Sequence, residues 1–148
     1  NRLAVTSGRG TATLNDYGPS LSAFNSIYEA KLPGQASPAK ANRFVVDTIS
    51  IDQYVEQEKL SPDFVKIDAE SAEHEILRGM SGVLDRFRPI VSVEVGDMDI
   101  EGVVECKELV SYLADRGYQA YEYRLGEIVE HQTQDRYEYD NLLFLPQA

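Results

Sequence analysis

The sequence predicts an α/β fold organised around a mainly parallel sheet, and three observations carry that expectation. The runs Phe64–Ile67 and Ile90–Val95 are almost continuously apolar, the pattern of strands covered on both faces. Segments with apolar residues at three-and-four spacing follow each run, so strand and helix alternate as in crossover units. Lys66, Asp68 and Glu70 lie on or just past the first run, and the carboxyl end of a central parallel strand is where α/β proteins build their sites.

The elements follow in chain order. Residues 3–5 read as a strand, Ser7-Gly8-Arg9-Gly10 as a hairpin turn, and residues 11–14 as a second strand. The glycines of that turn do not make a nucleotide loop, since the third glycine is absent and no helix opens after it. Residues 17–42, rich in Ser, Gly, Pro, Ala and Asn, read as a long surface loop with one short strand around residues 26–30. Phe44, Val45 and Val46 are strand-like, and Ser50 or Asp52 can cap a short helix carrying Ile51, Tyr54 and Val55. Pro62 introduces the strand Phe64–Ile67. Ile76, Leu77, Met80, Val83, Leu84 and Phe87 then give one apolar helical stripe, weakened by Gly79 and Gly82 and ended by Pro89.

Ile90–Val95 is the next strand, and Val103, Val104, Lys107, Val110, Leu113 and Ala114 mark a further helix stopped by Gly117. Residues 119–123 and 141–145 read as the last two strands. No helical pattern separates them, which suits an antiparallel pairing.

Composition bounds the function. A chain of 148 residues, 43% hydrophobic and 26% charged, is long enough for one globular domain with a real core, and residues 1–148 are read as one unit. The net charge of −11, with no face rich in Lys and Arg, argues against nucleic acid or a membrane surface as partner. Cys106 is the only cysteine, so neither an internal disulfide nor a cysteine metal cluster is possible. No apolar run approaches the roughly 20 residues that span a bilayer, and the opening residues are too few and too polar for a signal peptide. A cytoplasmic location is expected, and the absence of an initiating Met suggests a trimmed start.

Residues two apart on a strand share a face, so Lys66 and Asp68 point the same way. Lys66 is either half of a buried structural ion pair or a lysine that orients a carboxylate or grips a polar substrate. One acid after the strand could simply cap the following helix, but Asp68, Glu70 and Glu73 together exceed that need. If the two strands are parallel neighbours, Glu94 comes close to Asp68 at the same sheet edge, with Asp97 and Asp99 in the next loop. Converging carboxylates can serve as a general base or as oxygen ligands for a hard cation such as Mg²⁺, although no metal is predicted. Asp97 and Asp99 read either as solvated loop charges or, for Asp97, as a substrate contact. His74 reads as a surface or packing histidine, and His131 is given no role.

These residues carry a recognisable pattern. Asp47-Thr48-Ile49-Ser50-Ile51-Asp52, then Asp63-Phe64-Val65-Lys66-Ile67-Asp68-Ala69-Glu70-Ser71-Ala72-Glu73, then Ile76-Leu77-Arg78-Gly79, and Arg88-Pro89-Ile90 leading to Glu94 resemble the FkbM-type methyltransferases. Gly117-Tyr118 and Asn141-Leu142-Leu143-Phe144-Leu145-Pro146 are similar to that family's tail. One departure is Ser71, where the family usually has glycine in Glu-Gly-Ala-Glu.

The resemblance implies a Rossmann-like class I methyltransferase sheet of seven strands, the last antiparallel, and S-adenosylmethionine as methyl donor. It implies O-methylation of a hydroxyl on a sugar, glycan or natural product. Asp68, Glu70 and Glu94 would be the catalytic carboxylates, Lys66 and Asp97 would hold the acceptor, and Thr6, Ser7 and Asp68 would approach the cofactor. The family's opening strands and glycine-rich donor loop have no counterpart in this sequence. A further segment or partner is therefore expected to complete the cofactor site, and a non-catalytic methyltransferase-like binding module is the alternative.

Overall fold

The computed structural model describes residues 2–29 and 40–147. Its first unit is a three-stranded sheet of β1 (Ala4–Val5), β2 (Gly10–Asp16) and β3 (Asn42–Ile49), in the order β1-β3-β2. The expected hairpin between the first two strands does not form. β1 pairs parallel with β3, whereas β2 pairs with the other edge of β3 antiparallel, so Thr48 faces both Ala4 and Gly10. The connection bends around the end of β3 because that strand offers it partners: Thr6 N–H donates to the Ile49 carbonyl at 3.0 Å and the Thr48 hydroxyl to the Gly8 carbonyl at 2.8 Å.

After β2, the chain makes 3-10 turns over Pro19–Phe24 and returns at Ser26, which bridges Asn15. The strand expected around residues 26–30 is reduced to that bridge, and Ala30 lies outside the described residues.

Helix α1 (Ile51–Glu58) resolves the capping ambiguity. Ser50 closes a reciprocal capping box with Gln53, while the Asp52 carboxylate reaches the amides of Gly82 and Val83 at 3.0 and 2.8 Å. Strand β4 (Phe64–Ile67) follows. The single helix expected next is two, α2 (Glu73–Arg78) and α3 (Ser81–Phe87). The break at Gly79-Met80 has a packing cause, because a Cβ on Gly79 would stand 2.3 Å from the Thr6 carbonyl oxygen. The Gly79 carbonyl accepts instead from the Asp52 amide, and Asp52 supplies the start of α3. The expected apolar stripe survives the break, with Ile76, Leu77, Met80, Val83 and Leu84 all buried.

Strand β5 (Ile90–Val95), helix α4 (Cys106–Ala114) and strands β6 (Tyr118–Arg124), β7 (Glu127–Glu130) and β8 (Asp140–Pro146) complete the described chain. The second sheet has the order β4-β5-β8-β6-β7. Within it only β4 and β5 pair in parallel. β8 is antiparallel to both β5 and β6, and β7 makes an unforeseen hairpin with β6. Leu125 and Gly126, both at positive φ, form its two-residue turn. The sheets are thus mixed rather than mostly parallel, although the last strand is antiparallel as expected.

Coverage differs too. Val91, Val93 and Val95, Leu142 and Phe144, and Tyr118 and Ala120 are buried in one core with Leu77, Met80, Leu84, Leu109 and Leu113 from the helices. The alternate residues Ile90, Ser92, Leu143 and Tyr121 are only half-buried, so helices seal one face of this sheet. No helix among the described residues is long and apolar enough to cross a membrane.

Candidate functional site: a carboxylate cleft beyond strands β4 and β5

The parallel register pairs Ile67 with Val93, so Asp68, just past the end of β4, comes beside Glu94, which is still in β5 and paired with Asn141 of β8. Glu70 joins them from the turn before α2. Each of Asp68, Glu70 and Glu94 offers an oxygen, and these oxygens lie within 4.8 Å of one another. Glu94 is buried, Glu70 half-buried and Asp68 exposed. The proximity expected of Asp68 and Glu94 from their strand positions is therefore met.

The turn that brings in Glu70 is strained. Glu70 and Ser71 have φ of 48° and 80°, the left-handed region that a side chain disfavours. Two bonds hold it: the buried Ser26 hydroxyl donates to the Glu70 carbonyl at 2.6 Å, and the Glu73 carboxylate accepts from the Ala69 amide at 2.7 Å. Burial pushes the Glu70 carboxyl above the ordinary carboxylate range, with Glu94, Asp68 and Glu73 adding like-charge repulsion. Glu73 is also raised, chiefly by burial, against the opposing pull of its own and the Ala69 amide. One wall of the site is thus a set of carboxylates of which two hold protons more tightly than usual.

Lys66 pairs with Asp68 in a bond exposed on both sides. A buried ion pair was one expectation for Lys66. It fails because β4 is an edge strand, with Lys66 and Phe64 both open to solvent. An exposed pair of this kind is worth at most about 1 kcal/mol, so it orients Asp68 rather than stabilising the fold.

Glu70 and Glu94 open onto a cleft of about 390 Å³, and Asp68 stands beside them just outside its lining. Glu70, Glu73 and Glu94 form one side, and Val95, Met98, Ile100, Val103 and Leu109 supply an apolar side. No Lys or Arg is among the described residues lining it. His74 also faces the cleft, its ring edge-on to Tyr112, with burial and Arg78 holding its pKa below the usual value. Cys106 lies at the floor, its thiol pushed up to about 12 mainly by burial, so it is a packed thiol and not a nucleophile.

Asp97 lines the cleft but is engaged elsewhere. Its two oxygens accept from the Cys106 amide at 2.8 Å and the Tyr137 amide at 2.7 Å. It caps α4 and clamps the incoming chain, so each oxygen already holds one backbone amide. Asp99 pairs with Arg136. Thr6 and Ser7 are not brought to the cleft. They pack on Gly79, and neither is among the lining residues.

Three contributors escaped sequence reasoning. Ser26 sits in a loop with no pattern to single it out. Tyr139, whose phenol donates to Glu94, lies between the last two predicted strands, where no apolar period marks it. His131, given no role, is buried, with its ring nitrogens 3.2 Å from Glu122 and 3.0 Å from the Tyr137 hydroxyl.

Fold and site together define a mixed α/β protein with a carboxylate-lined cleft at the carboxyl ends of a parallel strand pair. The model of the methyltransferase FkbM domain matches residues 1–120, and the chain belongs to that methyltransferase family. Comparison with curated proteins and with solved structures gives no match.

Proposed function

We propose that this chain is the acceptor-side part of an S-adenosylmethionine-dependent O-methyltransferase acting on a hydroxyl of a sugar, glycan or natural product. The observation that carries the reading is the convergence of Asp68, Glu70 and Glu94, the last two lining a cleft that also has an apolar side. Such carboxylates accept hydroxyl donors, and a cleft without lining cations does not favour anionic acceptors. The same donor set suits a sulfonium cation, which supports the cofactor. No glycine-rich loop opening a helix is found among the described residues to grip its nucleoside part.

When bound, S-adenosylmethionine supplies an already activated methyl group. What this chain contributes is alignment and charge. Asp68, oriented by Lys66, would take the proton of the reacting hydroxyl, and Glu70 and Glu94 would accept hydrogen bonds from neighbouring hydroxyls of the acceptor. Alignment contributes several kcal/mol and a general base typically 10²–10⁴-fold. Asp68, Glu70 and Glu94 are also the residues that would hold a divalent cation, whose oxygen preference they match.

Donor binding is assigned to a further segment that pairs along the open edge of β4, where Phe64 stands exposed. The working compartment is taken to be the cytoplasm, with no nucleic acid or membrane partner. A calorimetric titration of S-adenosylmethionine against this chain and against an N-terminally extended one tests the scheme. Binding to the extended chain, and a turnover loss of 10²-fold or more in its Asp68→Asn variant with folding retained, are expected. Near-normal Asp68→Asn turnover would remove Asp68 from its role. No binding to either chain would favour the second reading, a non-catalytic binding module, for which Ser71 at φ 80° in place of the family's glycine speaks.

A further inference from the structure

Residues 131–139 lie beyond the family match and run as a strap from β7 to β8 across the carboxyl end of β5. Its anchor is polar and buried. His131 stands between the Glu122 carboxylate and the Tyr137 hydroxyl, that hydroxyl also accepts from the Gln134 amide at 3.1 Å, and Arg124 closes on Glu122 at 3.1 Å. Burying a carboxylate, an imidazole and a phenol is costly unless every partner is in place, and such a network specifies one arrangement.

That arrangement is transmitted along the strap. Tyr137 donates its amide to the Asp97 carboxylate, and its carbonyl accepts from the Asp97 amide at 3.0 Å. Arg136 binds Asp99 and the Asp97 carbonyl. Two residues further, the Tyr139 backbone packs against Gly96. Tyr139 then donates its hydroxyl to Glu94 Oε1 while the residue as a whole stays 73% exposed at the cleft. A phenol whose hydroxyl is tied to a buried carboxylate, and whose face is open, is an unusual use of an aromatic side chain. Packing would bury the ring, and simple surface placement would not tie the hydroxyl.

We propose that Tyr139 is a specificity-determining residue of the acceptor site and that the buried Glu122–His131–Tyr137 network is the anchor that positions it. The phenol fixes Glu94 in one rotamer, and the exposed ring gives the acceptor an apolar face to lie against while its hydroxyl reaches the carboxylates. The inference rests on reading this cleft as the acceptor side. Because the strap lies outside residues 1–120, it is where this chain can select an acceptor independently of the shared family core.

The test has two arms. Saturation-transfer NMR with methyl β-D-glucopyranoside as probe compares the wild-type chain, Tyr139→Phe and Tyr139→Ala. Binding is expected for wild type, weaker for Tyr139→Phe, and at least tenfold weaker for Tyr139→Ala with an unchanged melting temperature. No wild-type binding, or equal binding by Tyr139→Ala, overturns the assignment. The second arm follows the ¹³Cζ resonance of Tyr139 at neutral pH, which reports the bond its hydroxyl makes to Glu94. In His131→Gln, or in Glu122→Gln should the first not fold, that resonance should move towards the position of a solvent-exposed tyrosine. An unchanged resonance overturns the anchor. Neither arm contains S-adenosylmethionine, so failure of the methyl-transfer reading would show separately, in the calorimetry.

Discussion

Ser71 is the residue at which the site and the fold compete most directly. At φ 80° its side chain costs roughly 1–2 kcal/mol, a strain glycine would not carry. Glycine's looser unfolded state takes back part of that gain. Ser71→Gly should therefore stabilise the protein by about 1 kcal/mol, raising the melting temperature by roughly 2–4 °C. A lower melting temperature would show that the serine makes a compensating bond.

Glu73 poses the complementary test, in pH. Its carboxyl binds a proton more tightly folded than unfolded, so the unfolded state holds fewer protons between the two values. Stability from this group is complete below the ordinary glutamate pKa of about 4.3 and is lost as pH rises through the higher folded value. Gln at this position still accepts from the Ala69 amide but does not titrate. Denaturant titrations of Glu73→Gln should show a smaller loss of stability above pH 4 than wild type. Glu70, shifted the same way, will keep some of that slope. An identical slope in the variant would mean that Glu73 is not desolvated.

Among the elements, the junction of α2 and α3 decides how the first sheet meets the second. A Cβ on Gly79 would meet the Thr6 carbonyl at 2.3 Å and Ser50 Cβ and Ser7 Cα at 3.0 Å, mostly backbone that cannot rotate away. Gly79→Ala should cost about 3 kcal/mol, at the upper end for overpacking, measurable as a shift in urea midpoint at constant m-value. A neutral outcome would mean that the β1 segment is free to move off the junction.

This junction also marks the limit of what the sequence disclosed. Apolar spacing located every buried residue of the stripe from Ile76 to Leu84, because periodicity reports which face is covered. It did not report the break, which depends on a carbonyl some seventy positions earlier in the chain. Strand order failed for the same reason. The apolar runs of β4 and β5 revealed two strands, and their charged exits revealed the Asp68–Glu94 pair. Whether β1 joins β2 or β3 depends instead on hydrogen bonds that leave no compositional trace. Tyr139 and Ser26 reach the site through single long-range bonds, one by side chain to Glu94 and one to a backbone carbonyl, and neither follows a period.

At the scale of the whole molecule, the unequal edges of the second sheet are the feature with consequences. On one side the sheet ends in the hairpin β6/β7, a short outer strand bearing Glu127 and Glu130, a common way to discourage further pairing. On the other it ends in β4, whose outer backbone has no strand partner among the described residues and which exposes Phe64 at 55%. A net charge of −11 resists self-association there but leaves the edge receptive to a strand that belongs beside it. Parallel pairing would place that strand's carboxyl end next to Asp68, on the donor side of the proposed reaction. Amide hydrogen exchange separates this from a merely tolerated edge. In the chain as given, the β4 amides directed away from β5 should exchange within the first time points, while those of β5 and β8 stay protected. In the N-terminally extended chain those β4 amides should gain at least tenfold protection, with the β6/β7 hairpin unchanged. Protection already present in the shorter chain, or none gained on extension, would leave β4 a finished edge and take the donor site elsewhere.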